Sequence, residues 1–272
     1  MVAILPRVSA FTRLRVGSAD AQVVAANIDV ILLAASLDRD LNPRSLERYL
    51  VMGWESGATP VVVLTKADCR SVAEVAGAVE ATRQVARGVD VLAVSASTGA
   101  GMEVLAERCL RPGRTAGVVG ASGAGKSTLV NWMMGFSEMA TGEVRADGKG
   151  RHTTSHRQLL AIPGKGILLD TPGLRSLGLW LSAEGLERTF PELGALAQDC
   201  RFSDCSHTQE PGCSVLAAVA GGVLSVERLE AWRKLVREAR SVAARQGDLA
   251  PQRAERDRWK RLARDQRPRS SH

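Results

Sequence analysis

The chain has 272 residues, enough for one large domain and a smaller one. Its 45% hydrophobic content is that of a globular protein with a real core, and no apolar run is long enough to span a bilayer, which argues against a membrane-embedded class. The net charge is +7, and all of the excess falls after residue 226, where 14 Lys and Arg face 7 Asp and Glu while the remainder balances at 22 against 22.

Met1-Val-Ala-Ile-Leu-Pro-Arg lacks a charged segment followed by a long apolar one, so no secretory leader is read and a cytoplasmic location is expected. Residues 1–27 carry little pattern; Ala3–Leu5 and Phe11–Leu14 read as two strand remnants. Asp29–Ala35 is apolar throughout after its first residue, the mark of a strand covered on both faces. Asn42-Pro43 opens a helix to about Glu55, and Pro60–Leu64 is a second buried strand. A helix over 71–87 follows, with Ser71 and Glu74 spaced as a capping box. Val89–Val94 is a third strand, and Gly101–Leu110 a helix stopped by Arg111-Pro112-Gly113. The strand Thr115–Val119 leads through a glycine-rich loop into a helix over Thr128–Met134. Residues 136–157 read as a polar, mobile loop, and 158–162 with 166–169 as a hairpin around Pro163-Gly164. Strands stop near residue 180. Helices are expected over 182–196, broken at Pro191, then near 214–220 and 225–245, with a charged helix over 251–266. Alternating buried strands and helices predict an α/β fold with a mostly parallel, doubly wound sheet, whose ligands bind at the carboxyl ends of the strands.

The glycine-rich loop is a complete phosphate loop: Gly120, Ala121, Ser122, Gly123, Ala124, Gly125, Lys126 and Ser127, with Thr128 next. Successive backbone N–H groups of such a loop form an anion cradle at a helix N-terminus. Lys126 would reach the outer phosphates and Ser127 would hold Mg²⁺. Asp170-Thr171-Pro172-Gly173 ends the strand over 166–169; Asp170 can bind Mg²⁺ through water, and the Gly173 N–H can meet a γ-phosphate. Alone this is a weak motif, readable as a simple turn.

Thr65-Lys66-Ala67-Asp68 also ends a strand and matches the guanine-selecting element. The Asp68 carboxylate would accept from the base N1–H and 2-amino groups, a donor pair that adenine lacks, while Lys66 would lie along the base plane. Ser95 and Ala96 follow a third strand end, where the Ala96 N–H could meet the guanine carbonyl. The alternative for either element is an ordinary loop after a strand. These base-binding elements precede the phosphate loop, whereas ordinary small GTPases have them after it. The chain reads as a circularly permuted P-loop GTPase, 28–180, in which the segment responding to the γ-phosphate runs directly into the C-terminal domain.

Within Gly150-Arg151-His152-Thr153-Thr154, a threonine would close over Mg²⁺ and the γ-phosphate, Thr154 rather than Thr153. Leu174 stands where Ras-like enzymes have a water-positioning glutamine. His152 is the candidate for that duty; a surface histidine without one is the alternative.

Cys200, Cys205, His207 and Cys213 lie within fourteen residues. Three thiolates and an imidazole are the ligand set of a closed structural zinc site, which would fold a small helical domain over 181–245. Three buried free cysteines are the alternative. Residues 246–272 form a basic tail; their charge suits a polyanion such as nucleic acid, or simply a solvated, salt-bridged helix.

Taken together, Ala26-Asn27-Ile28-Asp29, Thr65–Asp68, Gly120–Thr128, Arg151–Thr154, Asp170–Arg175 and Cys200–Cys213 resemble the ribosome small-subunit-dependent GTPase A family of bacteria, over about residues 3–245. The resemblance implies hydrolysis of GTP to GDP, stimulation by the small ribosomal subunit and its rRNA, and a role in late maturation of that subunit. A monomer with no membrane partner is expected. Family members carry an N-terminal OB-fold that binds rRNA; here 1–27 would be its remnant, so that face is in question. Thr65 replaces the usual asparagine, which should loosen a bond bracing the phosphate loop. Competing readings are a nucleotide-gated RNA- or ribosome-binding module with negligible turnover, a metal or thiol enzyme built on the cysteines, and an ATP-specific enzyme.

Overall fold

A computed structural model describes residues 6–14, 21–135, 158–162, 164–170, 183–241 and 244. Strands β1 (Ala10–Leu14) and β2 (Ala21–Ala26) form an antiparallel pair with an irregularity at Phe11/Thr12. Phe11 and Val24 turn inward and are buried. Only β1 of this pair is legible in the sequence; β2, Ala-Gln-Val-Val-Ala-Ala, lacks the alternation that betrays a strand. Asn27 then takes a left-handed conformation (φ 56°), which its short polar side chain tolerates. Its Oδ1 accepts from the Val8 N–H, and its amide donates to the Pro6 carbonyl. This turn delivers the chain to the main sheet.

That sheet comprises β3 (Val30–Ser36), β4 (Thr59–Thr65), β5 (Asp90–Ala93), β6 (Thr115–Gly120), β7 (Gln158–Ala161) and β8 (Ile167–Asp170) in the order β5-β4-β3-β6-β8-β7. All neighbouring pairs are parallel except β7–β8, the expected hairpin. Both faces are dry. Ile31, Leu33, Val62 and Leu64 enter one core, and Val30, Leu32, Val61 and Val63 the other. The period-two geometry of a strand sends alternate residues to opposite faces, so both sets must be apolar. Each such side chain contributes about 1.5–3 kcal/mol on burial.

Helices α3 (Met102–Cys109) and α4 (Lys126–Met133) cover the second face. The first is covered by α1 (Pro43–Glu55) and α2 (Val72–Val85), and four further helices, α5 (Ala183–Thr189), α6 (Pro191–Gln198), α7 (Ser214–Ala220) and α8 (226–241), extend the same apolar cluster. Ser71 and Glu74 form the expected capping box of α2. The phosphate-loop helix begins at Lys126, two residues before the expected start. Pro191 breaks the helix expected over 182–196 into α5 and α6; Pro fits a first helical turn, where its missing N–H has no partner to lose.

The C-terminal helices seat on α1. Gly185 of α5 brings the backbones together: a Cβ there would lie 2.8 Å from the Val51 carbonyl oxygen. Arg188 stacks over Trp54 at 3.9 Å. A deeper link is ionic. Arg228 of α8 donates to Glu47 of α1 and Glu192 of α6, each at 2.7 Å, and to the Thr189 carbonyl. It also lies 4.1 Å from the Phe190 ring centroid. Burial pushes the Glu47 carboxyl above its ordinary range despite this guanidinium. Among the described residues no helix is long and apolar enough to cross a membrane.

Candidate nucleotide and metal sites

The carboxyl ends of β3, β4, β5, β6 and β8 lie along one edge of the sheet, and the predicted nucleotide residues sit on the loops that leave it. Glycine is required at the first loop position. Gly120 has φ 150°, and a Cβ on it would stand 2.2 Å from the Ala34 carbonyl oxygen of the neighbouring strand. Gly123 and Gly125 are also left-handed. The resulting bend lays Ala121–Ala124 over the strand end and starts α4 at Lys126. The Lys126 ammonium turns back into the loop and donates to the Gly120 and Ala121 carbonyls. Ala121, Ser122, Gly123, Ser127 and Thr128 are exposed; Ala124 is buried.

The two parts written in swapped order meet here. The Thr65 hydroxyl, at the end of β4, donates to the Ala124 carbonyl at 2.9 Å. Threonine thus makes a bond to the phosphate loop itself. What it lacks is a second donor, since its one proton must serve both Ala124 and the Ala35 carbonyl at 3.3 Å, where an asparagine amide has two. Lys66 follows in a left-handed conformation, its stem passing Gly125.

On the other side, the Ala67 N–H donates to the Val94 carbonyl at the end of β5. A hydrogen bond from the Ser95 hydroxyl holds the exposed Asp68 carboxyl below its ordinary value, so it is ionised at neutral pH. Ser95 is buried and its hydroxyl also meets Ser97 and the Thr98 N–H, which folds the loop carrying Ala96. A continuous line thus runs from the phosphate loop through Thr65 and Lys66 to Asp68 and Ser95. Asp170 ends β8, as expected. Its side chain, together with His152, Thr153, Thr154, Gly173 and Leu174, lies outside the described residues, as do the loop 136–157 and the charged segment 251–266.

Sequence reasoning missed the loop after β3. Asp38 accepts from Ser36 at 2.6 Å, Arg39 at 3.1 Å and Lys66 at 2.5 Å, and these donors hold its carboxyl well below the usual carboxylate range, the Lys66 bond most of all. The guanidinium of Arg39 lies against Gly123 of the phosphate loop. Arg70 ties the same loop down through the Leu37 carbonyl and Asp40. The only available signal was position, since this segment leaves a strand's carboxyl end. Behind the phosphate loop is a mostly apolar cavity of about 240 Å³, lined by Leu33, Ala35, Tyr49, Thr82, Ala121 and Ser122. Asp68 and Ser95 are not part of it, so it is separate from the base side.

Far along the chain, the donor atoms of Cys200, Cys205, His207 and Cys213 all lie within 4.8 Å of one another. His207 Nδ1 is 3.4 Å from the Cys213 sulfur and 3.6 Å from that of Cys200, and the two sulfurs are 3.9 Å apart. Ligands of a tetrahedral zinc at about 2.0–2.3 Å stand about 3.3–3.8 Å apart, so this group fits a four-coordinate metal ion. Burial lowers the His207 pKa, favouring the neutral ring that ligates. The intervening loop is held by Glu210, whose carboxylate accepts from the backbone N–H and hydroxyl groups of Ser206 and Thr208. Arg233 of α8 donates to the His207 carbonyl, and the Trp232 ring lies 5.5 Å from that of His207. The bracing contacts of Glu210 and Arg233 have no sequence signature; they hold the backbone that carries the candidate ligands.

The family model described as RsgA GTPase matches residues 4–180. A protein of Opitutus terrae named small ribosomal subunit biogenesis GTPase RsgA is 49% identical over 270 residues, covering 98% of this chain and 72% of that protein. One of Streptomyces avermitilis with the same name is 47% identical over 260 residues, covering 94% and 70%. Among solved structures, YjeQ from Thermotoga maritima is similar with a TM-score of 0.64 at 28% identity, over 87% of this chain and 77% of that one. YloQ, described as a circularly permuted GTPase, has a TM-score of 0.61 at 24% identity, over 88% and 74%, a likeness of fold.

Proposed function

The chain belongs to the RsgA GTPase family, whose activity is GTP hydrolysis, and we propose on that premise that it acts in late maturation of the small ribosomal subunit. The proposed partners are GTP, GDP and the subunit with its rRNA, and the subunit is the stimulus for turnover. We take the protein to be a cytoplasmic monomer with no membrane partner.

The observation that carries the site assignment is the Thr65–Ala124 hydrogen bond, which ties the base-selecting loop to the phosphate loop. Around it the roles divide by chemistry. The N–H groups of residues 120–128 take the phosphates, and Lys126 exchanges its two loop carbonyls for phosphate oxygens. Asp68, already ionised, accepts from the guanine N1–H and 2-amino groups; Lys66 covers the base plane, and Ala96 meets the base carbonyl. Ser127, Asp170 and Thr154 would hold Mg²⁺, which neutralises charge on the phosphates when bound. Gly173 would sense the γ-phosphate, and His152 is assigned to orient water, since Leu174 cannot do so by hydrogen bonding. Cys200, Cys205, His207 and Cys213 would hold one zinc as a structural ion: with four protein ligands the site has no open position for substrate.

The test is GTP turnover with and without purified small subunits. Stimulation by the subunit is expected. Tight GTP binding with no turnover in either condition would favour a nucleotide-gated binding module instead.

A further inference from the structure

Arg39 is a strongly basic side chain placed against the phosphate loop, and the assigned roles leave it unused. Its Nη2 lies 2.9 Å from where a Cβ on Gly123 would be, so the guanidinium rests on the glycine itself. A side chain at 123 would push this flexible arginine aside, whereas glycine leaves it room beside the loop.

Its charge is shared within an ion-pair network. Arg39 and Lys66 both donate to a single carboxylate, Asp38, which also accepts from the Ser36 hydroxyl. The nearby Asp40 faces Arg70 at 3.6 Å. Arg70 also faces Glu74 at 3.6 Å, so three acids stand against three bases on this rim, and Arg39 turns to an anion by leaving Asp38, which Lys66 still holds. The Arg39 side chain is 58% exposed, so it can swing, and the Asp38 bond spans only the adjacent residue. Asp38 thus joins the lysine assigned to the base to an arginine at the phosphates.

We propose that Arg39 contacts the phosphate groups common to GDP and GTP and slows nucleotide release. The loop's N–H groups cradle the α- and β-phosphates, which both nucleotides carry, so the residue acts on retention of either. A guanidinium donates two parallel hydrogen bonds to a phosphate, and an ammonium acts only as a point charge. This proposal rests on the nucleotide reading of the phosphate loop.

The experiment is the dissociation rate of a fluorescent GDP analogue, measured by displacement with excess GDP, for the full chain and its R39A, R39Q and R39K variants at low and high salt. R39A and R39Q should release it about tenfold faster than the parent at low salt, with R39K between. The gap should narrow at high salt, where charges are screened. Rates within twofold of the parent for R39A would overturn the proposal. Equal acceleration in all three variants, unaffected by salt, would mean that Arg39 only packs against the loop, and would overturn it too. Failure of the parent protein to bind the analogue would instead refute the nucleotide site itself.

Discussion

Arg228→Met removes the cation at the centre of the link between α1 and the C-terminal helices while keeping an apolar chain of similar length. The side chain of Arg228 is 10% exposed and that of Glu47 only 4%. Glu47 Oε2 and Glu192 Oε2 already lack a hydrogen-bond partner among the described residues, so nothing is at hand to compensate. Removing one partner of a buried pair costs about 3–5 kcal/mol because the other charge stays buried alone. Methionine recovers part of the packing over Phe190, and a net loss of about 3 kcal/mol is expected near neutral pH. At about 2–4 °C per kcal/mol for a chain of this size, the melting temperature should fall by about 6–12 °C. The pH dependence follows from the sign of the Glu47 shift. Its folded pKa is already raised above 4.5, and losing Arg228 raises it further. Stability tied to the protonated form is present below 4.5 and lost as pH rises through the folded value. The deficit should therefore be smaller near pH 5 than near pH 7.5, and Glu47→Gln added to the variant should restore at least about 1 kcal/mol at the higher pH. A melting shift under about 2 °C, or one equal at both pH values, would refute the reasoning.

Gly120→Ala should abolish nucleotide binding, since its Cβ would sit 2.2 Å from a carbonyl oxygen of the central strand; equilibrium titration with a fluorescent GDP analogue reads this. Thr65→Ala removes the brace on Ala124 and should weaken GTP binding about fivefold, the equivalent of about 1 kcal/mol; Thr65→Asn restores a donor and should bind within twofold of the parent by calorimetry. Asp68→Asn should shift preference from guanine to xanthine nucleotides, as measured by competition; unchanged preference would exclude Asp68 from base recognition. Metal analysis should find one zinc per chain, and Cys213→Ser should lose it together with helical signal from the C-terminal segment, since Cys213 is a proposed ligand and also caps α7.

The parts of the site legible in the sequence are those whose physics leaves little choice of residue. Gly120 must be glycine because a carbonyl occupies the space of its side chain, and a thiolate cluster has few substitutes. The central strands were legible because burial on both faces forces an unbroken apolar run. Asp38 and Arg39 were not, because many side chains can decorate a loop of that shape and only tertiary placement brings them to Lys66 and Gly123. Arg228 and Glu47 are 181 residues apart in sequence, and no local pattern announces their pairing. At Thr65 the residue was legible but its bond was not, since only the fold brings its hydroxyl to the Ala124 carbonyl.

The strand order also sets a timetable for synthesis. The middle strand of the sheet, β3, ends at Ser36, yet its second neighbour does not begin until Thr115. At ribosomal speeds of about 5–20 residues per second, its far edge waits on the order of ten seconds for that neighbour. The strands β4 and β5 thus emerge while one apolar flank of β3 stays open, a window that closes only when the strand leading into the phosphate loop arrives.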